Sequence, residues 1–257
     1  DLAALEPFGV EVLGVMEGML GPGEDVILAR LTGPRIEFTG VISGMSGSPV
    51  YIDGRLLGAV SYRFGSFSRE PIAGITPIAR MLAAADAPGE GVRAALQHRA
   101  FSPEDLRGRG EVGAIAWPFE DRAHGSARPI AVPLSTLGLS ASAADTLQRR
   151  TTGLGPSMAV SAAAAPGASD AAFTSGLAAN GASEVGRTPA LPIGPGSPVA
   201  AMLVNGDIRI SAIGTVTYVH GDDVLAFGHP FVGFGPVAYP MATAAILNTL
   251  ASGAGSY

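Results

Sequence analysis

The segment Gly44-Met45-Ser46-Gly47-Ser48-Pro49 carries the sharpest chemical signal in this sequence. Glycines flanking a serine permit backbone geometry that a Cβ would block. A serine held in such a turn can present its hydroxyl as a nucleophile. The main-chain amides of Gly44 and Ser46 can then converge on a developing oxyanion. The same pattern also occurs in ordinary β-turns, so the serine needs a base before the pattern means catalysis. With Ser at position 48, the segment is not the G-x-S-x-G elbow of the α/β-hydrolases.

Four histidines are available. His98 lies in Gln97-His98-Arg99 and His124 in Ala123-His124-Gly125, both polar contexts that read as solvated loops. His220 opens the turn His220-Gly-Asp-Asp223 beside Asp222 and also reads as surface. His229 differs, because it stands between Gly228 and Pro230 at the end of the apolar run Val224-Leu-Ala-Phe227. It is either a satisfied core histidine or the general base for Ser46. No His pair has ligand spacing and Cys is absent, so neither a metal nor another cofactor is expected, and no disulfide either. The carboxylates are scattered, with no pair suited to glycoside hydrolysis. Gly108-Arg-Gly110-Glu-Val-Gly113 fits G-x-G-x-x-G but follows a polar loop and leads into a strand-like run, the reverse of a dinucleotide site.

Composition narrows the remaining classes. Of 257 residues 47% are apolar but only 15% charged, with 36 Gly and 20 Pro. That balance favours short strands joined by tight turns over long helices. All 16 basic residues are Arg, and against 22 acids they leave a net charge of −6. A nucleic-acid partner, which needs a basic face, is not expected. No run approaches the roughly eighteen apolar residues of a transmembrane helix, so no such segment is expected in this chain. The chain opens at Asp1 without an initiator Met and reads as a processed or trimmed product.

The elements that must position Ser46 read as β over residues 8 to 62: runs around Val10–Val15, Asp25–Leu31, Thr39–Ser43 and Pro49–Ile52, then the hairpin signal Asp53-Gly54 and Leu56–Tyr62. Thr76-Pro77 followed by Ile78–Ala85 reads as a helix with Thr76 as N-cap and Pro77 in its first turn. A shorter helix start is read at Ser102–Leu106, strands at Ala114–Trp117 and Arg128–Pro133, and a helix at Ser142–Arg150. Residues 151 to 190 hold 12 Ala, 6 Gly and 5 Ser but only three charges, and read as a flexible linker. Strands resume at Ser197–Val204, with the turn Asn205-Gly206, then Asp207–Ser211, Gly214–Val219 and Val224–Phe227, and a short helix at Pro240–Leu250. The division expected is residues 1–90, a serine-bearing barrel with a trailing helix; 91–150, a mixed connecting region; 151–193, an Ala/Gly/Ser-rich linker; and 194–257, a histidine-bearing barrel segment.

Taken together, two stretches resemble the stage IV sporulation protein B serine peptidases. Gly40-Val-Ile-Ser-Gly-Met-Ser-Gly-Ser-Pro-Val-Tyr-Ile-Asp-Gly-Arg-Leu-Leu-Gly-Ala-Val60 is similar to that family's serine segment. Gly214-Thr-Val-Thr-Tyr218 with Val224-Leu-Ala-Phe-Gly-His229 is similar to its histidine segment, and Phe8–Val12 to Asp25–Leu28 resembles the strands before the serine. The likeness covers residues 8 to 82 and 197 to 246, about half the chain. It implies a mainly β, chymotrypsin-like double β-barrel with Ser46 as nucleophile, His229 as base and the amides of Gly44 and Ser46 as oxyanion hole. It further implies an extracytoplasmic protein that cleaves protein or peptide substrates or itself, with a homo-oligomer or envelope complex as possible contexts. The loop Arg63–Pro71 is a candidate for lining the substrate groove. Two features depart from the family. The histidine follows the serine by 183 residues instead of preceding it, a permuted order. The family's acid, a little upstream of the serine, is matched by Thr32-Gly33-Pro34-Arg35, which holds no carboxylate; Asp25, Glu37, Asp207 and Asp223 are the candidates for that role. A binding or structural module of the cell envelope with a weakened site is the alternative.

Overall fold

The computed structural model describes residues 5–64, 70–86, 127–151, 158–162, 192–230, 239–246 and 249. The protein is mainly β, with strands forming 48% and helices 16% of those residues; one sheet curls into a half-barrel and a second sheet stands beside it. The first sheet has the order β1(Gly9–Met16), β2(Val26–Thr32), β5(Ile72–Pro77), β4(Arg55–Phe64), β3(Pro49–Ile52), with β6(Ala127–Pro129) added on β4. The second has the order β12(Met241–Thr243), β9(Pro198–Val204), β10(Arg209–His220), β7(Val132–Leu137), β8(Met158–Ala162), with β11(Asp223–Ala226) added on β10. Three helices, α1(Pro34–Thr39), α2(Ile78–Asp86) and α3(Ala141–Thr151), complete the described elements.

Alternation along β2 explains the first core. Ile27, Ala29 and Leu31 are buried and join Val50, Val60, Ala73, Ile75 and Ile130, while Arg30 on the opposite face bridges Glu11 at 2.7 Å and Glu70 at 3.0 Å. The Asp53-Gly54 hairpin forms as expected: both residues have positive φ (50° and 73°), the requirement of a tight primed turn, and Ile52 pairs with Arg55. In the second sheet Val132, Leu134 and Ala212 form the buried centre, with Ala201, Leu203 and Phe227 packed against them.

Several expected elements differ. Thr39–Ser43 is not a strand: residues 34–39 form α1, started by Pro34 in its first turn, and 40–48 run as loop and turns. Helix α2 exists but starts at Ile78: Thr76 and Pro77 belong to β5 and pair with β4, and the Thr76 hydroxyl donates to the Gly228 carbonyl rather than to the helix. Asp207 and Ile208 lie in the turn between β9 and β10 rather than in a strand. Pro240–Leu250 is not helical where described; Met241–Thr243 is a strand on the edge of β9. Met158–Ala162, inside the expected linker, is also a strand, paired parallel to β7 after the α3 crossover. Residues 91–150 supply β6 to one sheet and β7 to the other, so they do more than connect. The readings at 102–106, 108–113 and 114–117, His98, His124, and most of the linker lie outside the described residues. No helix among the described residues is long and apolar enough to cross a membrane.

The two sheets meet with no room to spare at Gly47. Its φ is +98°, and a Cβ there would fall 1.9 Å from the Thr215 carbonyl oxygen and 2.6 Å from the Phe227 nitrogen, both main-chain atoms. Gly54 also has positive φ, but open space around it. Gly47→Ala should therefore destabilise by more than about 3 kcal/mol, and Gly54→Ala by only about 1–2 kcal/mol of left-handed strain. Urea unfolding of the two variants distinguishes the effects; equal losses would mean that the seam tolerates a methyl group.

Candidate active site

Two overlapping turns build the serine loop. The amide of Met45 donates to Ile42 carbonyl at 3.3 Å and that of Ser48 to Met45 carbonyl at 2.9 Å. Gly44 (φ +90°) and Gly47 (φ +98°) occupy the third positions of these turns, where a positive φ is needed. That is the backbone reason for the Gly-x-Ser-Gly spacing. The loop is anchored on one side by β4, through Gly47 amide to Val60 carbonyl at 2.8 Å and Val60 amide to Ser48 carbonyl at 2.9 Å. On its other side it is held by β10. Thr215 amide donates to Ser46 carbonyl at 2.9 Å and Thr215 Oγ1 to Gly44 carbonyl at 3.0 Å, while Thr217 Oγ1 donates to Gly47 carbonyl at 2.7 Å.

The histidine loop hangs from the same strand. Phe227 amide donates to Thr215 carbonyl at 3.2 Å, and the Phe227 ring lies over Gly214, where a Cβ would fall 2.4 Å from it. Phe227 and Gly228 both take positive φ (66° and 72°), a sharp bend that turns His229 back toward the first sheet. For an aromatic residue this conformation is strained. Gly228 fits against Ala59 and Ser61 of β4, with the site of a Cβ only 2.3 Å from Ser61 Oγ, and its carbonyl accepts from Thr76 Oγ1 at 2.7 Å. Both loops thus rest on the short stretch Ala59–Tyr62, and Gly47 touches the Phe227 backbone directly. Chain order is immaterial to that convergence, because residues 183 positions apart are brought to one stretch of one strand.

Ser46 is wholly buried and His229 is 8% exposed. Among the described residues four buried side-chain atoms have no hydrogen-bond partner: Ser46 Oγ, His229 Nε2 and one guanidinium nitrogen each of Arg80 and Arg209. An arginine has nitrogens to spare, whereas the serine hydroxyl is left with nothing and the imidazole with one bare nitrogen. The other ring nitrogen, Nδ1, lies 2.9 Å from the Pro230 carbonyl oxygen. The Tyr62 ring tilts beside the imidazole with centroids 6.3 Å apart. Burial holds the His229 pKa below the ordinary imidazole value of 6.5, with the carbonyls of Pro230 and Ile130 pulling the other way. The ring is therefore neutral near pH 7, the form a base requires.

Not every expected partner arrives. The Gly44 amide is committed to the Ala131 carbonyl at 2.9 Å, so of the two expected oxyanion donors only the Ser46 amide has no acceptor among the described residues. Asp25 accepts from the Gly18 amide at 2.8 Å in the β1–β2 turn, and Glu37 from the Gly33 amide at 2.9 Å at the start of α1. Asp207 is exposed in the β9–β10 turn, and Asp223 is exposed opposite His220 across β10 and β11. None of the four meets the His229 ring. Conversely, the holding roles of Thr76, Thr215 and Thr217 are not foreseen in the sequence. The Thr215-Val-Thr217 alternation places two polar residues on one face of a strand, and such a face pointing inward was the available signal. Comparison with protein-family models, curated proteins and solved structures finds no match for this chain.

Because the imidazole is buried neutral, its folded-state pKa lies below the unfolded value, and the unfolded chain binds the extra proton first as pH falls. Stability should drop on acidification below about pH 6.5, by at most about 1.4 kcal/mol per pH unit from this one group. His229→Gln should flatten that part of the profile. Identical urea midpoints across the window for both proteins would place the ring in water instead. Independently, Thr76→Val should loosen the His229 loop and cost about 1–3 kcal/mol by orphaning the Gly228 carbonyl, measurable by the same unfolding curves.

Proposed function

We propose that this chain is a serine endopeptidase of the sporulation-peptidase type, an extracytoplasmic enzyme with a permuted chymotrypsin-like double barrel whose site lies between the two sheets. One observation carries the reading: the serine and histidine singled out from sequence are buried, rest on the same four residues of β4, and are left without hydrogen-bond partners at Ser46 Oγ and His229 Nε2. A buried unpaired polar group costs about 1–3 kcal/mol, and two of them, on loops held by the same stretch of β4 and not bonded to each other, are hard to explain by folding alone.

In the reaction, Ser46 Oγ forms a bond to the scissile carbonyl carbon as its proton passes to His229 Nε2. The carbonyl π pair moves onto oxygen, facing the Ser46 amide. Collapse breaks the C–N bond, and the amine leaves with the proton from Nε2. Water then repeats the sequence on the acyl-enzyme and frees Ser46. No metal or cofactor enters. The substrate is an exposed segment of another envelope protein, or of the chain itself. Full burial of Ser46 means that the loop must open for a substrate.

The commitment of the Gly44 amide to Ala131 favours a second reading, in which the same fold serves as a binding or structural module of the envelope with a weakened site. An active-site fluorophosphonate separates the two. Labelling of the wild-type chain, abolished in Ser46→Ala and slowed at least about 100-fold in His229→Ala, supports the peptidase. Absence of labelling of folded protein at every pH from about 6 to 9 overturns it.

A further inference from the structure

In a serine–histidine–acid site the carboxylate does two things. It holds the imidazole in the tautomer with hydrogen on Nδ1, and it stabilises the imidazolium that forms when Nε2 takes the serine proton. No carboxylate among the described residues reaches the His229 ring: Asp25 and Glu37 are engaged with the Gly18 and Gly33 amides, and Asp207 and Asp223 are exposed on turns. What stands at Nδ1 instead is the Pro230 carbonyl oxygen, 2.9 Å away. We infer that the main-chain carbonyl of Pro230 takes the orienting place of the missing acid, so that Ser46 and His229 work as a dyad. The inference rests on the peptidase reading for its catalytic consequence but not for its geometry.

A carbonyl oxygen only accepts, so a nitrogen at that distance must carry the hydrogen. Nδ1–H is then fixed, and in the neutral ring Nε2 keeps a bare lone pair. That matches its lack of any partner in the structure. The Ile130 carbonyl also favours the protonated form of the ring. When Nε2 takes the proton, the Pro230 carbonyl dipole therefore stabilises the imidazolium where a full negative charge would otherwise sit. Dipoles do this less strongly than a carboxylate, and burial still keeps the histidine pKa below the ordinary value. A ring paired with a buried carboxylate would instead titrate above it.

Two measurements on the whole chain test this. Long-range ¹⁵N–¹H correlation spectra of protein labelled at histidine report the tautomer without any need for activity. The expected result is protonated Nδ1 and bare Nε2 for His229, assigned by its loss in His229→Gln; a ring protonated on Nε2 overturns the inference. The pH profile of fluorophosphonate labelling should have its acid limb below about 6.5, and Asp25→Asn, Glu37→Gln, Asp207→Asn and Asp223→Asn should each label within about threefold of wild type. A limb above about 7, or a loss near 10⁴-fold in any of these variants, also overturns it by revealing a carboxylate partner. If the wild type is not labelled at all while the Nδ1–H tautomer is found, the peptidase reading fails and the orienting carbonyl stands.

Discussion

The structure depends on one strand satisfying the backbone of another sheet's loop. Sharp turns leave carbonyl groups that no ladder can pair, and a loop carrying Gly44, Ser46 and Gly47 inward would bury them at a cost of about 1–3 kcal/mol each. β10 meets all three, using the Thr215 amide, Thr215 Oγ1 and Thr217 Oγ1. The Thr215 carbonyl meanwhile accepts from Phe227 and so fixes the start of the histidine loop. A single residue therefore sets the distance between the two loops. The absence of a side chain at Gly47 is what lets the strands approach closely enough for these bonds to form.

Around that seam the protein tolerates features that folding alone would remove. Phe227 is held at positive φ, Ser46 Oγ and His229 Nε2 are buried unpaired, and an imidazole is kept neutral by burial. Such strain and unsatisfied polarity cluster where a site has to be preorganised. The cost is borne by the surrounding network: Thr76 on Gly228, β4 beneath both loops, and the close packing of Phe227 over Gly214. The Gly44–Ala131 hydrogen bond adds a constraint of a different kind, since it ties up one amide that an oxyanion would need.

How far the sequence could be read followed the range of the interactions involved. Hairpins set by adjacent residues, such as Asp53-Gly54 and the Gly221-Asp222 turn between β10 and β11, were legible. The strand reading at Thr39–Ser43 failed because Pro34 and the Glu37 carboxylate on the Gly33 amide start a helical turn just before it. Met158–Ala162 was lost in its Ala-rich surroundings; only its partner β7 makes it a strand. The same is true of Met241–Thr243 on β9, whose local composition favours a helix. Thr76 read as a cap because the Thr-Pro pair usually is one, whereas its hydroxyl was bound to a carbonyl 152 residues away.

By itself the sequence determined the β character, the tight serine loop, the candidacy of Ser46 and His229, and the absence of an acid in the stretch upstream of the serine, because these follow from residue types and spacings of a few positions. Only the tertiary structure decided that the two loops share one strand, that Thr215 and Thr217 hold them, that Gly44's amide is already engaged, and that a main-chain carbonyl faces Nδ1. Backbone amides and carbonyls are the same in every residue, so their partners are invisible in a sequence and are chosen only when distant strands come together.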